Sequence, residues 1–580
     1  YDNWQASGVS GEGARSFYYP QQSQQCADCH MPLTKSADAG NIQGAVHSHA
    51  FPAANTALPF VNGDSAQMNA TETFLKDKDV SVDIFAISPE SSAQKASESN
   101  GGAAPRTPEI QTTFAVGEEA EMTVPQNASP ESATPIALLT APLDRTGATV
   151  RRGGTYRLDV VVRTRKLGHF FPGGTVDAFD CWLELTAKDE KGQTIFWSGR
   201  AEDGGKGPVD PGAHFYRSLL IDLHGNAINK RNAWAARAVV YVHLIPPGAA
   251  DTVHYRIQIP QNAGDTIHVV AKLNYRKFSW YNTQFSFAGV QESPQTSSAM
   301  TPHYDDRPVA FTGDPVKVPG GAKGIPPLPI VTMAENKMDL KVAPGNAKEP
   351  APNVALNRDD WTRWNDYGIG LFLQGDLAGA RGAFEKITQL DPRNPDGWVN
   401  LGRVHVQEGN MAAAREVLTR ALELNPRLAR AHFFFARVLR NQSQYDEAIA
   451  HLRQVLEQYP RDRVVHDDVG RILFLERRYS EAVKEFEATL AIDPEDLEAN
   501  YNLMLCYTGM GQAERAAEFQ KRYLRFKADE AAQTLTGPYR RNHPEDNLER
   551  QPIHEHVSEI AAKPATRKFA VAARRGKDSD

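Results

Sequence analysis

The pattern of apolar and polar positions divides the chain into a part with a period of two and a part with a helical period. Between residues 76 and 290, runs such as TYRLDVVVRT, CWLELTAKD and HVVAKLNYRKF alternate apolar with polar residues, and glycine and proline turns separate them. Such alternation is typical of half-buried strands. The pattern predicts a β-sandwich domain over 76–290, with an insertion at 88–131, rich in Ser, Ala, Glu and Pro, that has little regular structure.

After Arg358 the sequence matches itself at a spacing of 34 residues. Two columns keep the spacing: Pro392, Pro426, Pro460 and Pro494, and Ala380, Ala414, Ala448, Ala482 and Ala516. Helical repeats of this length are the signature of the tetratricopeptide repeat. Similarity to that family predicts five repeats within 358–530, which begin at Trp361, Pro395, Ala429, Arg463 and Leu497. A small residue inside each first helix lets the two helices of a repeat approach, except in the fifth repeat, which has Met504 there.

Three further segments complete the prediction of a multidomain α+β protein. Residues 1–75 are rich in Gly, Gln, Ser and Tyr and have little periodicity, as in a segment wrapped around a cofactor. Residues 291–357 are rich in Pro and Gly and are predicted to form an extended linker. Residues 531–580 are polar and are predicted to form an extended tail without a core of its own.

Composition argues against nucleic-acid binding and against a membrane-spanning protein. The chain has 580 residues and a net charge of −7, which gives no electrostatic footprint for nucleic acid. It has no apolar run of about eighteen residues, so no transmembrane segment is predicted. Tyr1 opens the chain without an initiator Met or a signal segment, so we expect a mature or truncated form. Two of the four cysteines, Cys181 and Cys506, lie among apolar neighbours and are predicted to be buried.

The other two cysteines form the motif Cys26-Ala-Asp-Cys29-His30. CxxCH is the attachment signature of c-type haem, because two thiols three residues apart can add to the two porphyrin vinyl groups while the following His coordinates iron. We therefore predict thioether bonds at Cys26 and Cys29 and His30 as the proximal ligand of one haem c. A tetrahedral zinc site made by the two cysteines and nearby histidines is an alternative, and a redox-active CxxC is a weaker one.

Three residues are candidates for the second axial ligand of the haem iron. His47 and His49 follow the motif in AVHSHAF, at a distance that lets a short loop pass the edge of the haem. His49 is the preferred distal ligand, His47 is the alternative, and Met68 would supply a thioether instead.

The segments QCADCHMP, SHAF, KLGHFFPGG and IPPGAADTVHYRIQIP resemble those of multihaem c-type cytochromes that carry a β-sandwich and tetratricopeptide repeats. The resemblance implies that a His of the H-x-F segment binds iron. It also implies that His169 can ligate a haem held by another segment or subunit; a hydrogen-bonded histidine at a strand end is the alternative. Those relatives have several CxxCH motifs and this chain has one. Either further haems belong to a portion absent from this chain, or the protein is monohaem.

These features predict an extracytoplasmic c-type cytochrome, in the periplasm, at the cell surface or outside the cell. It would transfer electrons to redox partner proteins or other haems and would not be an enzyme. A haem enzyme of peroxidase or nitrogen-oxide type, with an open axial position, is one alternative. A structural assembly protein that uses haem as a staple is another.

The repeats are predicted to bind a protein segment and to assemble the chain into a homo-oligomer or filament. Family positions on the concave surface correspond to an apolar set and to a basic set: Ile369, Phe372, Val399, Val406, Phe433, Val464, Phe474, Tyr501 and Leu505, and Arg403, Arg430, Arg437, Arg440 and Arg471. Carboxylates and apolar anchors would fit such a groove. The acidic tail segment PEDNLERQPIHEHVSEI is the predicted occupant, crossing between subunits.

Overall fold

The computed structural model describes residues 2–5, 7–19, 22–49, 53–90, 136–164, 166–228, 233–288, 314, 316, 324–527 and 535–558. Most of the predicted insertion, from residue 91 to 131, therefore lies outside the described residues.

The strands of the described residues fall in the N-terminal segment, the middle of the chain and the tail. They are β1 Leu33–Lys35, β2 Ala45–His47, β3 Val80–Pro89, β4 Thr149–Arg151, β5 Thr155–Thr164, β6 Asp180–Asp189, β7 Thr194–Ser198, β8 His214–Phe215, β9 Arg217–Ile221, β10 Ala238–His243, β11 Ala250–Gln258, β12 Thr266–Arg276, β13 Val331–Ala343 and β14 Glu555–His556.

Two mainly antiparallel sheets form the middle of the molecule. One has the order β14-β11-β5-β3, and the other has the order β4-β13-β12-β6-β7 with β8 paired to β6. Alternate side chains of both sheets belong to one buried apolar cluster, as in two sheets packed around a common core. A separate ribbon joins β9 to β10, and β1 and β2 form a hairpin after the CxxCH motif.

Strand β13 lies inside the range that was predicted to be linker, and that part of the prediction is wrong. Its sequence VTMAENKMDLKVA alternates, and it pairs with β12 from Thr266↔Lys341 to Tyr275↔Val331. The sequence pattern does not reveal this strand, because proline- and glycine-rich stretches flank it on both sides. Pairing with a neighbour distant in sequence decides its conformation.

Residues 361–526, all of which the structure describes, contain ten helices in five antiparallel pairs. They are Trp361–Leu373, Leu377–Leu390, Pro395–Gln407, Met411–Leu424, Ala429–Asn441, Tyr445–Gln458, Arg463–Leu475, Tyr479–Ile492, Leu497–Gly509 and Ala513–Phe526. The first helix of every pair begins at the residue that similarity to the tetratricopeptide family predicts, so the prediction of tetratricopeptide repeats is confirmed. A β-carbon at Gly368 would lie 2.6 Å from the ring of Phe384, and one at Gly402 would lie 2.6 Å from Leu418. The small residues therefore set how closely the paired helices approach.

Shorter helices and turns complete the fold. They are Asp2–Gln5, Cys26–His30, Ala57–Asn62, Ser65–Leu75, Leu143–Thr146, Glu202–Gly205, Trp280–Ala288, Thr536–Asn542 and Pro544–Leu548, with 3-10 turns at Ile136–Leu138, Ala233–Ala235 and Arg358–Asp360.

The first repeat packs directly on the sheet that contains β5 and β11. A β-carbon at Gly370 would lie 2.2 Å from Thr252 Oγ1, so the helix backbone touches the sheet. The hydroxyl of Tyr367 donates to Asp159 at 2.7 Å. The apolar core is continuous from the sheets into the first two repeats. Cys181 and Cys506 are both buried, as the sequence predicts.

Candidate functional site

The CxxCH motif forms a five-residue helix, Cys26–His30, at the surface. Asp28 caps the N-terminal end of the helix, because its carboxylate accepts a hydrogen bond from the backbone N–H of Gln25 at 2.8 Å. Both cysteines are exposed and free, and His30 is half-buried. One turn of helix thus holds two accessible thiols and an imidazole on the same short segment.

Two rings contact His30. The ring centroid of Phe74, from the helix Ser65–Leu75, lies 5.7 Å away. The ring of His169 lies 6.3 Å away, with its plane 11° from that of His30. His169 Nδ1 donates to the carbonyl of Phe170 at 2.8 Å, which assigns the proton to Nδ1 and leaves the Nε2 lone pair available for a metal.

The two imidazoles lie close enough for His30 and His169 to hold the iron of one haem. An imidazole nitrogen binds a metal at about 2 Å and lies about 1.2 Å from its own ring centroid, so two imidazoles on one metal would have centroids up to about 6.4 Å apart. The observed centroids are 6.3 Å apart, with the two rings nearly parallel and stacked. A β-carbon at Gly173 would lie 2.6 Å from His169 Cε1, so the Pro-Gly-Gly turn leaves room for that ring. The residues present fit a c-type haem.

The other predicted axial ligands lie elsewhere in the same segment. His47 is in β2, and its Nδ1 donates to the carbonyl of Met31 at 2.6 Å. His49 is exposed, and within the described part of the chain it makes no ring contact or hydrogen bond. Met68 lies half-buried on the helix Ser65–Leu75. His49 is near the CxxCH motif along the chain, whereas the imidazole ring near His30 comes from a loop 139 residues away; His49 as the distal ligand stays a prediction.

The concave surface of the repeats holds residues 12–19 of the same chain. The backbone N–H of Ala14 donates to Asp462 at 2.8 Å, and the guanidinium of Arg403 donates to the carbonyl of Arg15. Ala14 is fully buried within the apolar cluster of the repeats, and Arg15 is 5% exposed. This segment is therefore docked in the groove.

Aromatic side chains secure the segment. Phe17 packs edge-on against Phe372 of the first repeat, with ring centroids 6.3 Å apart. The guanidinium of Arg403 lies between two rings, 4.0 Å from that of Phe17 and 4.5 Å from that of Phe434. Arg430 lies 5.1 Å from the ring of Tyr19. Cation–π contacts of this kind strengthen when they are removed from water.

The structure corrects two predictions about the groove. The acidic tail does not occupy it: residues 535–558 lie on the sandwich, where Arg217 binds Asp546 at 2.9 Å and β14 extends the sheet beside β11. The arginines are also less available than predicted, because Asp468 binds both Arg437 and Arg440. The sequence signal for the true occupant is the cluster Phe-Tyr-Tyr at 17–19 in a glycine- and serine-rich segment.

The same N-terminal segment reaches the loop that carries His169. Trp4 Nε1 donates to the carbonyl of Gln24 at 2.7 Å, and the backbone N–H of Gln24 donates to Val9 at 2.8 Å. A β-carbon at Gly168 would lie 2.8 Å from the indole of Trp4. Residues 4–24 therefore connect the groove, the CxxCH helix and the His169 loop.

Comparison with known proteins supports the repeats alone. A family model described as "Tetratricopeptide repeat" matches residues 371–432, 405–467 and 473–537. No curated protein matches the chain. Similar solved structures include MamA, at 23% identity over 28% of this chain and 94% of that one, with a TM-score of 0.26. MamA 41-end from Desulfovibrio magneticus RS-1 is 17% identical over 29% of this chain and 95% of that one, with a TM-score of 0.27.

A third similar structure is that of YrrB, described as a TPR protein with an unusual peptide-binding site. It is 21% identical over 30% of this chain and 90% of that one, with a TM-score of 0.26. Tetratricopeptide repeats indicate interaction with protein segments. None of the described helices has both the length and the apolar character needed to cross a bilayer.

Proposed function

We propose that this chain is a c-type cytochrome of the electron-transfer class, with haem bound to Cys26 and Cys29 and with His30 and His169 as its axial ligands. The observation that carries the proposal is the 6.3 Å spacing of the two imidazoles beside a CxxCH helix. A bound haem would supply one reversible ferric–ferrous couple. With both axial positions held by protein, the chain's own task is to fix the haem and its potential, and the proposal assigns no catalytic residue.

The surroundings of the helix support a bound porphyrin. Five of the fifteen large apolar side chains that are exposed among the described residues fall between residues 33 and 61, next to the motif: Leu33, Ile42, Leu58, Phe60 and Val61. Exposed apolar surface of this density indicates a site for a ligand or partner. A macrocycle attached at Cys26 and Cys29 is a ligand of suitable size and polarity.

The groove of the repeats has a positioning role in this proposal. Tyr19 is held between Arg430 and Tyr459, and the chain then runs seven residues to Cys26. Fixing residues 12–19 in the groove therefore limits where the CxxCH helix can move relative to His169. Preorganisation of this kind keeps a redox site in one geometry.

The further parts of the proposal concern location and partners. Covalent attachment of haem to CxxCH takes place outside the cytoplasmic membrane, so we place the protein in an extracytoplasmic compartment. Redox partner proteins exchange electrons at the exposed side of the haem segment, and surfaces of the repeats outside the occupied groove support a homo-oligomer. Sedimentation of the haem-loaded protein measures that assembly. A protein that stays monomeric at all concentrations would contradict the proposed homo-oligomer.

The test compares three histidine variants in the haem-loaded protein. His169→Ala should convert a low-spin ferric spectrum to high-spin and should let the reduced haem bind CO, because it removes the distal imidazole. His49→Ala should leave both properties unchanged, and His47→Ala serves as the matched control. The mass of the wild-type chain should include one covalently bound haem.

Three results would contradict parts of the proposal. If the wild-type chain is produced together with the c-type haem attachment machinery and its mass shows no added haem, the assignment of haem as the cofactor is wrong. A high-spin spectrum in His49→Ala together with a low-spin spectrum in His169→Ala assigns the distal position to His49. A wild-type haem that already binds CO readily points to the enzyme alternative.

A further inference from the structure

A buried cluster of histidines and one glutamate lies where the tail meets the sandwich. His214 comes from β8, while Glu549, His554 and His556 come from the tail. Their side chains are 2%, 3%, 6% and 1% exposed, respectively. The haem site and the groove do not use any of these residues.

The ring nitrogens and the carboxylate of this cluster converge. His214 Nδ1 lies 3.0 Å from His556 Nε2 and 4.0 Å from a carboxylate oxygen of Glu549. The other oxygen of Glu549 lies 3.3 Å from His554 Nε2 and 3.6 Å from His556 Nε2. Four ligands bound to one ion at about 2.0–2.1 Å in a tetrahedron are about 3.4 Å from one another. The observed separations, from 3.0 Å to 4.0 Å, lie on both sides of that value.

The opposite nitrogen of each histidine is already bound to an acceptor. His214 Nε2 faces Asp251 at 2.9 Å, His556 Nδ1 faces the carbonyl of Gly212 at 2.9 Å, and His554 Nδ1 faces the carbonyl of Gln551 at 2.8 Å. These acceptors place the protons on the outer nitrogens. Metal-binding histidines use this arrangement, in which the second nitrogen donates to a carboxylate or a carbonyl.

The inner nitrogens therefore present lone pairs to one another. In their neutral forms His214 and His556 would face each other lone pair to lone pair at 3.0 Å, which is repulsive without a cation between them. His554 Nε2 is buried and has no hydrogen-bond donor or acceptor in suitable geometry among the described residues. It lies 3.3 Å from a carboxylate oxygen of Glu549, close enough for both atoms to bind one cation.

We propose that His214, Glu549, His554 and His556 bind one Zn²⁺ ion in a closed, four-coordinate structural site. Imidazole and carboxylate ligands in a tetrahedron suit zinc, and a buried set of four protein ligands leaves no position for a substrate. Three ligands belong to the tail and one to the sandwich. The ion joins the tail to β8, which pairs with β6, and so strengthens the attachment of residues 535–558 to the sandwich.

The experiment measures zinc in the haem-loaded full chain after dialysis against metal-free buffer. Elemental analysis should find about one zinc per chain in addition to haem iron, and zinc-edge X-ray absorption should show four nitrogen or oxygen ligands at about 2.0 Å. His554→Ala and His556→Ala should each reduce bound zinc at least tenfold while the haem spectrum stays the same. His268→Ala is the matched control, because His268 is exposed and pairs with Asp339 outside the cluster.

A second measurement does not require the variants to fold. Removal of zinc from the wild-type chain with a chelator should lower the melting temperature, and stoichiometric Zn²⁺ should restore it. A chain that has no zinc and whose melting temperature does not respond to added Zn²⁺ overturns the proposal. Full zinc occupancy in His554→Ala overturns the ligand assignment, and copper or iron in place of zinc overturns the identity of the ion.

Discussion

Asp159 lies at the contact between the sandwich and the first repeat. Its side chain is 2% exposed and accepts hydrogen bonds from Arg157 at 2.9 Å, His254 at 2.7 Å and Tyr367 at 2.7 Å. Burial alone would raise the pKa of Asp159, but Arg157 and His254 hold it below its usual value. The carboxylate is thus ionised and fully paired inside the protein.

We predict that Asp159→Asn lowers the free energy of unfolding by about 3 kcal/mol, because it leaves Arg157 buried without its counter-charge. Because the folded pKa is depressed, the contribution is fully present above the unfolded value of about 4 and is lost progressively as the pH falls from there through the folded value. Urea unfolding at pH 7 and at about pH 3 measures both effects, and the difference between wild type and variant should shrink at the lower pH.

Asp339→Asn is the control for this prediction. Asp339 forms an exposed pair with His268, and such pairs contribute about 0–1 kcal/mol. An equal loss of unfolding free energy in Asp159→Asn and Asp339→Asn would contradict the prediction, because the buried network would then contribute no more stability than an exposed pair.

At the scale of elements, the peptide that fills the groove is a connection within the chain. Residues 12–19 use backbone hydrogen bonds to Asp462 and Arg403 and aromatic anchors at Phe17 and Tyr19. This combination of backbone recognition with side-chain anchors is common in peptide-binding grooves. The repeats therefore organise their own N-terminal segment.

We predict that Phe17→Ala and Arg403→Ala release this segment. Arg15 is buried in the wild type, so trypsin should cleave after it slowly, and each substitution should increase cleavage there at least tenfold. The mass of the digest identifies the site. Arg478→Ala, at an exposed arginine that pairs with Glu481, should leave the rate unchanged. Rapid cleavage after Arg15 in the wild type would contradict the docked state.

At the scale of the whole molecule, both end segments fold back on the domains between them. The N-terminal segment enters the repeats, and the tail returns from the last repeat to the sandwich. Tyr539 of the tail completes a small apolar cluster with Leu219, Ile221 and Val240 of the β9–β10 ribbon. The tail is therefore part of a core, and its polar composition conceals this role.

We predict that deletion of residues 535–580 lowers the melting temperature by at least about 5 °C and increases the binding of an apolar dye, while the haem spectrum and the oligomeric state stay unchanged. The reason is that Leu219, Ile221 and Val240 lose their cover. Deletion of residues 564–580 alone keeps the segment up to Ser558 and should have no such effect. A lower oligomeric state without loss of stability would restore the sequence-based view of the tail as a link between subunits.

The sequence by itself determined the parts of the protein that depend on local spacing. The 34-residue interval identified the repeats, and similarity to the tetratricopeptide family then located the start of every first helix, because the residues that define a repeat lie within the repeat itself. The five-residue CxxCH motif predicted a haem attachment for the same reason, since its chemistry lies within one turn of helix.

Only the tertiary structure decided which distant segments meet. Ala14 and Asp462 are 448 residues apart in sequence, and His214 and His556 are 342 residues apart. His169 likewise reaches His30 from another domain. No local pattern encodes such pairs, because their stability comes from burial and hydrogen bonding that exist only after the sheets, repeats and end segments have packed together.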